Sequence, residues 1–179
     1  MRTLAKFIYF KVLGWKLIGS FPKLDKCVVI VVPHTSWIDF FLGLLVRRVL
    51  NEEINYIAKK SLFKPPLGWY FKWMGGAPID RSQNNDTVSA ISKIFKERKK
   101  FRLALSPEGT RKKVTQWKTG FYYIAKSAQV PILMIAFDYG RKQVKISEPQ
   151  YPSNTKEMDF EIYQRFFNGV KGKVREYSF

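Results

Sequence analysis

Hydrophobic positions along this chain follow two rhythms, short unbroken apolar runs and longer stretches repeating every three or four residues. The run CVVIVV (27–32) is β-branched, with charge on one side and Pro33 on the other, which predicts a buried strand. INYIA (54–58), FRLALS (101–106) and residues 130–138 read the same way, and 143–146 reads as a short edge strand. Helices are expected over 36–50, over 118–128, and from Asp86 or Thr87 to about Arg98 with Val88, Ile91 and Phe95 on one face. A last helix starts near Thr155, with Met158, Ile162, Tyr163 and Phe166 at helical spacing. Pro65 and Pro66 open an aromatic segment, LGWYFKWM, that Gly75 and Gly76 close. Strands alternating with helices argue for an α/β fold around a mixed, largely parallel sheet flanked by helices.

Residues 1–22 have a different character. On a helical wheel Arg2, Lys6 and Lys16 fall on one narrow face, and Leu4, Phe7, Ile8, Val12, Trp15 and Ile18 spread around the other, with Lys11 inside the apolar arc. The segment has no acidic residue and ends at Pro22. It lacks the long uncharged core and small-residue cleavage site of a secretory signal. It reads as an amphipathic helix, lying in a membrane interface with its lysines reaching the head groups or packed on the domain. The expected organisation is therefore a membrane-associating helix (1–22) followed by one domain (23–179).

Composition sharpens this picture. With 179 residues and 46% apolar content the chain is large enough for one real core. A single cysteine, Cys27, excludes a disulfide framework, and a single histidine, His34, excludes a His-rich metal site. The net charge of +18 directs the surface towards polyanions, and 16% aromatic content suits a membrane interface as well as a nucleic acid. From Lys93 to Lys118 alone, basic residues far outnumber acidic ones, a run that fits a solvated face, anionic lipid or the phosphates of a ligand. The longest uncharged stretch, 27–38, is well short of the roughly 20 apolar residues a spanning helix needs.

Three stretches carry candidate chemistry. In HTSWID, His34 leaves the first buried strand and Asp39 follows five positions later. Ser36 and Asp39 also form an S-x-x-D capping box, so a purely local role is open. With His34 still in the entering loop, its ring can fold back to the Asp39 carboxylate, which would fix the tautomer and steady an imidazolium, the preparation a general base needs to act on an alcohol. The second stretch, 75–81, is a glycine turn, an apolar run and the pair Asp80–Arg81, whose side chains point to opposite sides in extended chain. The third, 105–111, leaves a strand through a Pro-Glu-Gly turn, at the strand end where open α/β sheets place ligands.

Together these stretches resemble the lysophosphatidic acid acyltransferase (PlsC-like) family of glycerolipid acyltransferases. His34 and Asp39 match its H-x4-D motif, 76–81 its glycine-to-Asp-Arg motif, and 107–111 its P-E-G-T-R motif. Lys118-Thr119-Gly120 and Val130-Pro131-Ile132 match two further family features in the right order. Lys112 and Pro78 depart from residues frequent in the family, and no spanning helix precedes the first motif.

The resemblance implies transfer of a fatty acyl group from an acyl thioester, acyl-CoA or acyl carrier protein, to the free hydroxyl of a lysophospholipid such as 1-acyl-glycerol-3-phosphate. His34 would be the general base and Asp39 its support. Arg81, Glu108, Gly109, Thr110, Arg111 and Lys59 would bind substrate, the two arginines through the acceptor phosphate. No metal or resident cofactor is implied, the thioester being a co-substrate. The partners are a phospholipid surface, the donor and the acceptor, without nucleic acid, and the expected location is peripheral and monotopic on the cytoplasmic face of the cell membrane. The rival from another class is a non-catalytic basic module binding membrane or nucleic acid, although no RRM, KH or zinc-finger signature is present. A thiol hydrolase using Cys27 with His34 is a third reading.

Overall fold

The computed structural model describes residues 2–59, 63–66, 68–79 and 87–178. Seven strands form one sheet: β1 (Lys16–Ile18), β2 (Lys26–Val32), β3 (Asn55–Lys59), β4 (Gly76–Ile79), β5 (Phe101–Leu105), β6 (Ile132–Asp138) and β7 (Gln143–Ile146). Their order is β1-β7-β6-β2-β5-β3-β4, and every neighbouring pair is parallel except β6–β7. The expected mixed, largely parallel sheet is what the chain forms.

Helices cover both faces: α1 (Arg2–Lys6), running directly into a wider π-helical stretch (Phe7–Val12), then α2 (Ile38–Leu50), α3 (Gly68–Trp73), α4 (Thr87–Glu97), α5 (Gly120–Ala128) and α6 (Lys156–Phe167). The strand alternation sorts the core into two layers. Val28, Ile30 and Val32 of β2 pack with Ile91 and Phe95 of α4, Phe121 of α5 and Tyr163 of α6. Cys27 and Val29 face the other way, onto Leu42 and Val46 of α2 and Tyr9 of the N-terminal helix. The central strands are buried on both sides, which is why they read as unbroken apolar runs.

Four expectations need correction. The helix anticipated across 1–22 stops at Val12. Gly14 takes a left-handed φ of 68°, which ends the helix, and residues 16–18 become β1, parallel to β7. The hydroxyl of Tyr9 donates to the Lys16 carbonyl at 2.8 Å and clasps this turn. β7 is consequently not an edge strand, since β1 covers it. The 76–79 run, read as a turn and an apolar stretch, is the strand β4 at the far edge, where Pro78 is tolerated. Finally, the inward face of α6 is Asp159, Tyr163 and Phe167, while Met158 and Ile162 are exposed.

Candidate active site

β5, β2 and β6 lie side by side and parallel, so their carboxyl ends open onto one edge of the sheet. The loop after β2 carries His34, the loop after β5 carries Glu108, and β6 runs out into Tyr139. β3 and β4, paired in parallel through Lys59 and Ile79, end at the same edge.

Asp39, in the first turn of α2, is the buried centre of this arrangement. Its Oδ2 lies 3.2 Å from His34 Nδ1 and accepts the backbone N–H groups of Thr35 and Ser36, each at 2.8 Å. Its Oδ1 accepts the Tyr139 hydroxyl at 2.7 Å. Burial alone would raise the carboxyl's pKa; the bonds from His34, Tyr139, Ser36 and Thr35 outweigh it and hold Asp39 below the usual carboxylate range. Burial, with Asp39 alongside, pushes the Tyr139 phenol well up, so it remains a donor. The expected capping box is only half formed: α2 begins at Ile38 with Trp37 as N-cap, Asp39 reaches back to the Ser36 amide, and Ser36 Oγ accepts the Ile38 N–H at 3.3 Å in place of the Asp39 N–H.

With Nδ1 turned to the carboxylate, the Nε2 of the half-exposed His34 is left to face a reactant. Glu108 is buried, and its Oε2 accepts the backbone N–H of His34 at 2.7 Å and the Ser106 hydroxyl at 3.0 Å. Burial raises its pKa, partly offset by those two bonds. In this geometry Glu108 braces the His34 loop. Gly109 has φ 64°, and the Lys118 side chain lies over it so closely that an added Cβ would meet it at 2.8 Å. Thr110 and Arg111 are exposed, and the Thr110 hydroxyl accepts the Lys112 N–H at 3.3 Å.

Two cavities meet at His34 and Ser106. One, of about 280 Å³, runs between the sheet and α2, walled by Val31, Phe40, Leu44, Leu105 and Phe137. Arg47 also lines it, its guanidinium donating to the carbonyls of Ile54 at 3.0 Å and Met74 at 2.7 Å. The other cavity, of about 630 Å³, has a mixed lining that includes the two cations Arg111 and Lys118 with Thr110.

The structure therefore brings His34, Asp39, Glu108, Gly109, Thr110 and Arg111 together. Arg81 lies outside the described residues, as does the side chain of Lys59 at the end of β3. Tyr139 was missed by sequence reasoning, because its only signal is adjacency to the end of a strand a hundred residues from Asp39. Cys27 is excluded as a partner for His34. It is wholly buried at the start of β2, its thiol pushed up to about 12 by burial, the lowering by Arg102 and raising by Glu52 being lesser effects. Extended chain between the two residues spans roughly 20 Å.

Residues 19–138 match the family model described as Acyltransferase. The chain is similar to the 1-acyl-sn-glycerol-3-phosphate acyltransferase of Saccharomyces cerevisiae, with 28% identity over 67% of this chain and 41% of the yeast protein. It is also similar to 1-acyl-sn-glycerol-3-phosphate acyltransferase alpha of Mus musculus, with 30% identity over 81% of this chain and 53% of the mouse protein. It thus spans about half or less of the length of these relatives. Among solved structures, the 1-acyl-sn-glycerophosphate (LPA) acyltransferase PlsC of Thermotoga maritima superposes with a TM-score of 0.62 at 23% identity, over 92% of this chain and 76% of that one. That likeness concerns the fold.

Proposed function

The chain belongs to the acyltransferase family, and from that premise we propose that it moves a fatty acyl group from an acyl thioester to the free hydroxyl of a lysophospholipid, 1-acylglycerol-3-phosphate being the acceptor that its relatives' names carry. The observation that carries this reading is the His34–Asp39 pair at the junction of an apolar and a basic cavity. The apolar cavity suits an acyl chain, and the basic one suits a phosphate.

His34 Nε2 takes the proton of the acceptor hydroxyl as its oxygen attacks the thioester carbonyl carbon. The C–S bond then breaks, the acyl group stays on the acceptor oxygen, and the imidazolium returns its proton to the leaving thiolate. Asp39 stabilises the imidazolium meanwhile, itself held ionised by its four donors. No acyl-enzyme forms, because the acceptor oxygen is the nucleophile. Arg111 and Arg81 hold the acceptor phosphate through their planar, bidentate guanidinium groups, with Lys59, Thr110 and the backbone at Gly109 completing the ligand set. The donor is acyl-CoA or acyl carrier protein, and the chain carries no resident cofactor in this mechanism.

The protein works from the membrane surface. Among the described residues no helix is long and apolar enough to cross a bilayer. The N-terminal helix instead exposes Leu4, Phe7 and Val12 beside its basic residues. The exposed apolar and basic residues of that helix support a peripheral, monotopic placement, in this reading on the cytoplasmic face. The deciding experiment is purified protein with a panel of lyso-lipids and both donor types, products read by mass. Acylated lysophosphatidate formed by the wild type and abolished in a folded His34→Ala variant is the expected result. Turnover that survives this change removes the mechanism.

A further inference from the structure

A third cavity, of about 490 Å³, lies on the outer side of α2 and shares no lining residue with the other two. Its apolar wall is Leu13 and Trp15 from the N-terminal segment with Ile38 and Phe41 from the first turn of α2. Its other wall is basic: Lys142, Lys173 and Arg175 line it, and no carboxylate does. Among the described residues none of these three cations is ion-paired. Lys173 lies 5.8 Å over the Tyr139 ring, and Lys142 Nζ donates to the Leu13 carbonyl at 3.4 Å. Glu176, next to Arg175, does not line the cavity.

The rim is as telling as the walls. Phe41 of the apolar wall stands 56% exposed, and Trp37, whose ring meets it edge-on at 5.5 Å, 62%, apolar surface that water does not favour. The basic wall is firmly placed. The Val174 N–H donates to Thr35 Oγ1 at 3.1 Å, beside His34, and the Tyr139 N–H donates to the Lys171 carbonyl at 2.8 Å. Most of the cavity comes from residues before 19 or after 138, outside the part of the chain that matches the family model.

We propose that this cavity binds one anionic phospholipid of the bilayer. Its phosphate would sit on Lys142, Lys173 and Arg175, and an acyl chain would lie against Leu13, Trp15, Ile38 and Phe41. Charge complementarity selects the occupant: an apolar trough with an unpaired cationic end fits an amphiphile with a negative head, and disfavours a neutral tail or a bare anion. The proposal rests on the reading that the protein works at a bilayer, and not on acyl transfer.

The test is therefore run on the His34→Ala protein, by calorimetric titration with dihexanoyl phosphatidylglycerol below its micellar concentration. One saturable site is expected, weakened about 10-fold or more by Lys173→Glu/Arg175→Glu, since two charge-assisted contacts are lost. The milder Lys173→Gln/Arg175→Gln pair should weaken it in the same direction, and circular dichroism verifies that each variant is folded. Arg111→Glu and Lys99→Glu/Lys100→Glu should leave this site intact. Dihexanoyl phosphatidylcholine and glycerol 3-phosphate should bind far more weakly. Absence of saturable binding overturns the proposal. So does loss in the Arg111 variant with retention in the Lys173/Arg175 variants, which would put the lipid in the catalytic cavity. Equal loss in the Lys99/Lys100 variant would reduce the effect to net charge, and equal binding of glycerol 3-phosphate would reduce the site to an anion hole.

Discussion

At the scale of single residues, the site is a hydrogen-bond chain, and each link has its own signature. With His34 as the proposed general base, His34→Ala should lower kcat by roughly 100-fold or more with the fold intact. Tyr139→Phe removes one neutral donor to Asp39 Oδ1, so a drop of about 3- to 10-fold in kcat at unchanged KM is expected, read from steady-state kinetics. Asp39 and Glu108 should leave opposite marks on stability. Asp39 has a folded pKa below its ordinary one, so it contributes stability above the carboxylate range and loses it as pH falls through that range. Glu108 is raised, so its contribution is full below the ordinary glutamate value and is lost as pH rises through the folded one. Glu108→Gln, whose amide oxygen can still accept the His34 N–H, should therefore melt higher at neutral pH than the wild type. Glu108→Ala should not, because the amide is left unpaired. Melting curves across the acid and neutral range separate the two. The sequence offered His34 and Asp39 as a candidate pair by their spacing, with a local capping role left open, and the family resemblance favoured the pair. The sequence could not make Tyr139 legible, since no local pattern marks a phenol that acts across the sheet.

Among the elements, legibility followed burial. β2, β5 and β6 are the central strands, and each shows as an apolar stretch in the sequence, β-branched in β2 and β6 and built from Phe, Leu and Ala around Arg102 in β5. β1 and β4 are three and four residues long at the two edges. One is hidden in a stretch with helical charge spacing and the other contains proline, so pairing with a distant strand decides both. The aromatic stretch that resisted assignment is α3, and it displays Trp69 at 70% exposure, which opposes a core role for that side chain. α2 carries a further consequence. It runs from Asp39 at its start to Arg47 in its last turn, about 12 Å apart along the axis, with the apolar cavity beside it. Arg47, tied to the carbonyls of Ile54 and Met74, lines that cavity about two helical turns from Asp39. Arg47→Ala should shift the donor preference towards longer acyl chains, measured by competition among mixed-length donors.

For the whole molecule, exposed apolar residues of α1, the π-helical stretch and the first turn of α2 sit on elements that pack against one another, with Phe41 in edge-to-face contact with both Trp37 and Phe40. The sequence pointed to residues 1–22 as the membrane contact and not to the first turn of α2. Phe7→Ser/Val12→Ser should lower binding to anionic vesicles with little change in melting temperature, because both side chains are already in solvent. Raising salt should weaken wild-type binding only in part, since screening leaves apolar insertion untouched. A sedimentation assay against vesicles of graded anionic content checks both.

The pairing of β1 with β7 also has a consequence in time. Lys16 leaves the ribosome well before its partner Gln143, which lies in the last strand of the sheet. At about 5–20 residues per second, β1 waits roughly 6–25 s for a strand to join. Through that interval the N-terminal helix is tethered but not yet stitched into the sheet. In refolding too, the amides of β1 should gain protection from hydrogen exchange after those of β2 and β5, because β1 pairs with a strand farther along the chain than any other pairing in the sheet, and closing that loop comes late.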